Sequence, residues 1–274
     1  MKTDISIHTD LARKILTGFI KSEVTRVGFS RAVVGLSGGI DSALSCALAA
    51  EALGPDHVLA VRLPYKTSSV DSLEDAERTA TRLKVAMETI EITPMIEPMI
   101  QLDPQISNVR KGNLMARVRM MVLYDRSESY KGLVIGTSNK TEILLGYTTL
   151  WGDMASALNP IGDLYKTQVR QLARAMDIPQ SVIDKAPSAD LWQGQTDEDE
   201  LGFTYDDVDQ LLYLLVDRRY GAEDCIAAGF KREFVSQVVE KVRRSQFKRL
   251  MPPIAKLSNR TIGYDFLYLR DWGT

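Results

Sequence analysis

Six consecutive residues, Ser37-Gly38-Gly39-Ile40-Asp41-Ser42, concentrate the chemistry of this 274-residue chain. They follow the apolar run Ala32-Val33-Val34-Gly35-Leu36 and precede an Ala- and Leu-rich stretch ending at Gly54-Pro55. The first run is predicted to be a buried strand and the second a helix, so the six residues form a strand-to-helix turn. Adjacent glycines let backbone N–H groups converge on an anion with no Cβ in the way. Ser37 and Ser42 add hydroxyls, and the helix start adds unpaired N–H groups and the positive end of the dipole. Asp41 would repel a phosphate unless it holds Mg²⁺, which then bridges to phosphate oxygens. The alternative is an ordinary tight turn in which Asp41 caps the helix. Neither Gly-x-x-x-x-Gly-Lys-Ser/Thr nor Gly-x-Gly-x-x-Gly occurs at this turn.

Other candidates lie downstream. Asn113 and Arg117 are four apart and share a helix face, with Arg110 one turn earlier and Arg119 pointing elsewhere. They could meet an anionic partner or form a solvated face. Thr137 ends the apolar run Leu133-Val134-Ile135-Gly136, where a hydroxyl can reach a ligand. Glu142 follows at a helix start, where a carboxylate also balances the dipole. Lys166 and Ser188 are single polar candidates. The acidic run Asp197-Glu198-Asp199-Glu200 is expected to be solvated surface, and Lys248 sits in a basic stretch from Lys241 to Arg249.

The elements that must position these residues alternate. Helices are expected from about Leu11, from Ser42 to Leu53, on Val70-Leu73-Ala76-Ala80-Leu83, from Asn108 to Tyr124, and on Val169-Leu172-Ala173-Met176. Strands are expected at 32–36, 58–63, 89–92 and 133–136. Residues 186–202 look irregular, and 205–249 largely helical. This is an α/β pattern: a doubly wound, mostly parallel sheet flanked by helices, with a helical C-terminal extension in a single domain spanning 1–274. Ligands of such sheets bind beyond the carboxyl ends of strands.

Bulk properties narrow the classes. Apolar residues make up 45% and the formal net charge is -2, so there is no global basic field of the kind non-specific nucleic-acid binders carry, which leaves room for local basic patches. No apolar run reaches the roughly 20 residues needed to span a bilayer, and a cytoplasmic protein with no membrane partner is expected. Two cysteines, Cys46 and Cys225, cannot make a disulfide framework or a four-cysteine zinc site. Cys46, among Ala and Leu, is expected in the core.

Ser37 to Ser42 resembles the Ser-Gly-Gly-x-Asp-Ser loop of the ATP-pyrophosphatase family, whose members cleave ATP between the α and β phosphates. Further segments are similar to the NAD synthetases within it. They include Val61-Arg62-Leu63-Pro64, Gly112 to Met120, Gly136-Thr137-Ser138-Asn139-Lys140-Thr141-Glu142, Gly152-Asp153-Met154, Lys166-Thr167, Pro187-Ser188-Ala189-Asp190-Leu191 and Phe247-Lys248-Arg249. The resemblance implies an adenine nucleotide alpha-hydrolase-like fold and ATP-dependent amidation of deamido-NAD through an acyl-adenylate. Under it, ATP meets Ser37, Gly38, Gly39, Ile40, Asp41, Ser42, Thr137, Lys166 and Ser188. Asp41 and Lys166 are the catalytic pair, Asp41 and Glu142 hold Mg²⁺, and Asn113, Arg117 and Lys248 contact deamido-NAD. It also implies a homodimer, a lid over 186–202, and ammonia that is free or supplied by a separate amidase protein. Leu150 and Met154-Ala155-Ser156-Ala157 depart from the ammonia-using pattern and resemble the synthetase domain of the glutamine-using branch. A tRNA-modifying ATP-pyrophosphatase and a non-catalytic adenine-nucleotide binder are the alternatives.

Overall fold

A computed structural model describes residues 3–188 and 196–266. Among these, four parallel strands form one sheet: β1 (Ala32–Gly35), β2 (Val58–Arg62), β3 (Ala86–Thr89) and β4 (Leu133–Ile135), in the order β3-β2-β1-β4. The register pairs Ala32 of β1 with Val58 of β2 on one side and with Leu133 of β4 on the other. The chain therefore steps outward from β1 to β3, then returns to the far side of β1 for β4. That reversal puts a topological switch point between β1 and β4, beyond which a crevice opens at the carboxyl ends of the strands. The expected phosphate loop leaves β1 at this point.

Successive side chains of β1 enter different cores, as a pleated strand requires. Ala32 and Val34 pack against α1 (Thr9–Arg26), α2 (Ile40–Leu53) and α7 (Lys166–Ala175), through Ile20, Val24, Leu48, Val169 and Leu172. Val33 faces α4 (Thr93–Gln101) and α5 (Asn108–Tyr130), meeting Ile96, Met115 and Val118. The alanines of α2 are short enough to let it lie closely on the sheet, and Cys46 is fully buried among them. α3 (Val70–Leu83) crosses between β2 and β3.

Past the sheet come α6 (Lys140–Leu145), α7, α8 (Gln180–Asp184) and α9 (Asp197–Leu201). The helical extension follows as α10 (Tyr205–Leu212), a π-helical turn at Tyr213–Asp217, α11 (Ala222–Ala227) and α12 (Arg232–Arg244). Its own apolar cluster, including Tyr205, Val208, Leu211, Val235 and Val238, also takes in Leu145 of α6 and Tyr165 before α7.

Two expectations about elements change. The third strand is Ala86–Thr89 rather than 89–92, because Ile92 already turns into α4 and buries its side chain in the core. Residues 186–202 are not irregular throughout: Thr196 caps α9, its hydroxyl accepting from the Asp199 backbone N–H at 3.2 Å. The expected lid falls partly on residues 189–195, outside the described residues.

Candidate active site

The phosphate loop is shaped by one glycine above all. Gly38 has φ +82°, and a Cβ there would stand 2.1 Å from the backbone oxygen of Ser72 in α3. The loop and the start of α3 are thus in backbone contact. Within the loop, the Ser37 and Gly39 N–H groups donate to the Ser42 and Ser37 hydroxyls at 3.2 and 3.3 Å, and Ser42 Oγ donates to the Gly39 carbonyl at 2.9 Å. Gly39 is the N-cap of α2 and provides no side-chain cap.

Asp41 does not cap the helix either. Its Oδ1 accepts from Asn139 Nδ2 at 2.9 Å, and its Oδ2 meets Lys166 Nζ at 2.5 Å. Lys166 also reaches Glu142 Oε1 at 3.1 Å. Asn139 and Glu142 form a capping box at the start of α6: Asn139 Oδ1 accepts from the Glu142 N–H, and Glu142 Oε2 from the Asn139 N–H. One helix start therefore fixes both the carboxylate that faces Lys166 and the amide that orients Asp41.

Read alone, Lys166 fits an exposed charge on a helix, yet its relative exposure is 2%. Burial opposes its charge, but the Asp41 and Glu142 carboxylates outweigh that and hold it above the usual lysine range. Its Nζ also lies 5.2 Å from the centre of the Tyr205 ring, a cation–π distance. Two threonines and one aspartate lock the backbone around it. Thr141 Oγ1 accepts from the Lys166 N–H at 3.0 Å and donates to Asp209 Oδ1 at 2.6 Å, while Asp209 Oδ2 accepts from the Thr167 N–H at 2.8 Å. Asp209, on α10, is fully buried.

These groups border a cavity of about 510 Å³. Ser37, Gly39, Ile40, Asp41, Ser42, Thr137, Glu142, Lys166 and Ser188 all line it. Gly38 supports the loop from behind. Asn113, Arg117 and Lys248 are not among the lining residues: Asn113 Oδ1 accepts from the Thr149 hydroxyl at 2.8 Å, Arg117 is exposed, and Lys248 Nζ donates to the Gly146 and Thr148 carbonyls at 2.7 Å each. Arg119 does line the cavity, donating to the Leu63 carbonyl at 3.2 Å.

The acidic run is corrected at its first member. Asp197 is 4% exposed, lines the cavity, and accepts from the Tyr205 hydroxyl at 3.0 Å. The cause is the docking of α9, whose Glu200 takes the Tyr147 hydroxyl at 2.7 Å and whose Glu198 takes the Tyr205 N–H at 2.9 Å.

A family model described as NAD synthase matches residues 12–252. This chain belongs to the NAD synthase family. Among its members, the NH(3)-dependent NAD(+) synthetase of Trichlorobacter lovleyi is 58% identical over 98% of each chain. The solved NH3-dependent NAD synthetase of Campylobacter jejuni, in complex with the nitrate ion, superposes at a TM-score of 0.78 with 32% identity, covering 91% of this chain and all of that one. The NMN synthetase of Francisella tularensis superposes at 0.82, also with 32% identity, covering 92% and 100%. The α/β fold expected from the strand–helix alternation is thus the NAD synthase fold.

The NAD synthase site contains residues that spacing did not single out: Asn139, Thr141, Tyr205, Asp209 and Lys185. The Asn139-to-Glu142 interval was the readable sign, since Asn-x-x-Glu before an apolar run is a capping-box signature. Asp209 had no local sign, because its partners are far away in the chain.

Glu142 itself supplies a pH test. Burial pushes its carboxyl up to about 8, with Lys166 pulling it down and Asp41 pushing it up. The folded value lies above the ordinary 4.5, so folding takes up a proton. This group's contribution is fully present below about pH 4.5 and is lost as the pH rises through about 8. Metal-free protein should therefore lose stability across that window more steeply than Glu142→Gln, by up to about 1.4 kcal/mol per pH unit. Thermal melts at stepped pH check this; parallel curves for the two proteins would remove Glu142 as the proton acceptor.

Proposed function

We propose that this chain is an ammonia-dependent NAD synthetase, joining ammonia to the nicotinate carboxylate of deamido-NAD at the expense of ATP. The observation that carries the reading is Lys166, buried between Asp41 and Glu142 where the phosphate loop opens into the cavity. The 58% identity to a protein named for this reaction supports it.

The carboxylate attacks the α-phosphorus of ATP, and pyrophosphate leaves with the electron pair of the broken P–O bond. Ammonia then attacks the acyl-adenylate, a proton is lost, and the amide and AMP result. No protein nucleophile is needed. The loop N–H groups and the Ser37 and Ser42 hydroxyls suit the phosphate oxygens, and Lys166 offsets the charge that grows at the phosphorus. Hard carboxylate donors facing a phosphate loop fit Mg²⁺, which takes one or two carboxylates plus substrate phosphates, and Asp41 and Glu142 would hold it. Bound there, Mg²⁺ would neutralise phosphate charge. Among the described residues, no three His, Cys, Asp or Glu side chains form a metal cluster, so substrate oxygens would complete the shell. Asn113, Arg117 and Lys248 are the acceptor contacts of this reading, with Lys248 held on the Gly146 and Thr148 carbonyls near Asp153. The reading includes a homodimer in the cytoplasm and ammonia supplied free or by a separate amidase. The departures at Leu150 and Met154–Ala157 concern the acceptor side and leave the ATP side untouched.

A second reading, synthesis of NMN in place of NAD, has the Francisella superposition behind it. Pyrophosphate release from ATP, Mg²⁺ and ammonium, with and without deamido-NAD, tests both. We expect release to depend on deamido-NAD and to yield NAD and AMP in equal amounts. Release that ignores deamido-NAD, or that follows the mononucleotide acid instead, would overturn the first reading.

A further inference from the structure

The cavity holds a second lysine ammonium that none of the steps above uses. Lys185, at the end of α8, lines it together with Ser72 and Ser188. Its Nζ donates to Ser72 Oγ at 2.8 Å and to Asp75 Oδ2 at 3.2 Å. Asp75 is 3% exposed and is itself fixed by the Ser181 hydroxyl at 2.8 Å. A flexible lysine stem is thus held at its charged end by two α3 side chains. Lysine has three donors, and among the described residues no partner takes the third.

Two features say what that donor faces. Ser72, which receives Lys185, is the same residue whose backbone oxygen abuts Gly38 of the phosphate loop. Lys185 is therefore one residue removed from the loop. The balance of charge also differs along the cavity. Lys166 stands among three carboxyl groups, Asp41, Glu142 and Asp197, whereas Lys185 shares the single Asp75 carboxylate with Arg78, 3.2 Å away. Arg78 also meets Glu74 at 3.5 Å, and Arg62 and Arg119 line the cavity as well, so the contrast is that Lys185 meets one carboxylate where Lys166 stands among three. The most charged part of ATP is its terminal phosphates, and a cavity-lining ammonium beside the phosphate loop with one carboxylate partner suits them.

We propose that Lys185 binds the pyrophosphate end of ATP, donating a hydrogen bond to the oxygens that become the leaving group. The assignment rests on the NAD synthetase reading and adds a named residue to it. When the bond between the α-phosphorus and its bridging oxygen breaks, the electron pair goes to pyrophosphate. Lys185 stabilises that charge by a hydrogen bond and keeps its proton. Two lysines then divide the work: Lys166 at the carboxylates and Lys185 at the departing group.

The test is product inhibition by pyrophosphate in wild type, Lys185→Met and Lys185→Arg. Loss of one charge-assisted hydrogen bond should weaken pyrophosphate inhibition about ten- to a hundredfold in Lys185→Met and raise the KM for ATP. Inhibition by AMP should stay within about twofold, because AMP lacks the contacted phosphates. Lys185→Arg should recover most of the loss. A structural role would shift both inhibitors alike. Unchanged pyrophosphate inhibition in Lys185→Met would overturn the assignment. A second measurement needs no variant: Mg-pyrophosphate should shield Lys185 of the wild type from amine acetylation, read by mass spectrometry. Unshielded acetylation refutes the proposal even where Lys185→Met fails to fold. Wild-type protein that makes no NAD refutes the function reading instead, and leaves the shielding measurement to decide on Lys185.

Discussion

Asp41→Ala should lower the kcat for NAD formation by at least about a hundredfold, on the scale of removing one preorganised electrostatic group, while the protein stays folded. Removing one partner of a buried ion pair ordinarily destabilises a protein strongly. Here the site contains its own remedy. Lys166 keeps Glu142 as a partner, and Asp41 is one of the charges that hold the Glu142 carboxyl protonated. With Asp41 gone, Glu142 ionises more readily and takes over the ammonium. Asn139 Nδ2 loses its acceptor, a smaller effect at a site that still borders a water-accessible cavity. Circular dichroism melts and steady-state turnover at saturating Mg²⁺ separate the two effects. Asp41→Asn is the sharper control: it is isosteric but uncharged, and should be nearly as inactive. Near-normal turnover in either variant would end the assignment of Asp41 to metal and phosphate.

The second large effect is expected at Gly38 and not at its neighbour. In Gly38→Ala the new methyl would sit 2.1 Å from a backbone oxygen and 3.0 Å from the Cα of Ser72, in a left-handed backbone region. Neither obstacle is the end of a flexible side chain, so the loop or the start of α3 must move. Left-handed strain and overpacking together should cost about 2–4 kcal/mol, and displaced loop amides should abolish measurable ATP binding. At Gly39 a Cβ would meet only Ser37 Oγ, at 3.4 Å, an ordinary contact. Gly39→Ala should therefore keep most of its stability. Urea unfolding and nucleotide titration of the two variants, side by side, check the contrast. Equal effects would mean that the approach of Ser72 to the loop does not constrain it.

The contrast also shows what the sequence could and could not tell. Two adjacent glycines look equivalent in a string of letters. Their difference lies in α3, which packs beside α2 on the same face of the sheet and brings Ser72 against the loop. Local features were legible: β1, the helix after Gly39, α3 and β4 all follow from apolar periodicity and stop residues, and the loop chemistry follows from its residue types. The third strand was placed three residues late because Ile90 and Ile92 continue an extended, bonded path after the strand proper, donating to the Arg62 and Pro64 carbonyls at 2.9 Å. The acidic run was misjudged at Asp197 because burial there comes from Tyr205, in the next helix. Lys166 looked like any surface lysine because the carboxylates that bury it are 125 and 24 residues away. Charge clusters made by tertiary structure leave no periodic trace, and here only resemblance to a family pointed at Lys166.

The bond from Asp209 to Thr141 and Thr167 has a consequence for the order in which the chain becomes useful. The phosphate loop and its strand are made before Lys166 and before the aspartate that steadies its surroundings. A nascent chain that has emerged only as far as α6 carries the nucleotide loop and both carboxylates, but not the ammonium that joins them. Translation must pass residue 209 before the two helix starts can be clasped together, so the nucleotide site is completed only once α10 has emerged.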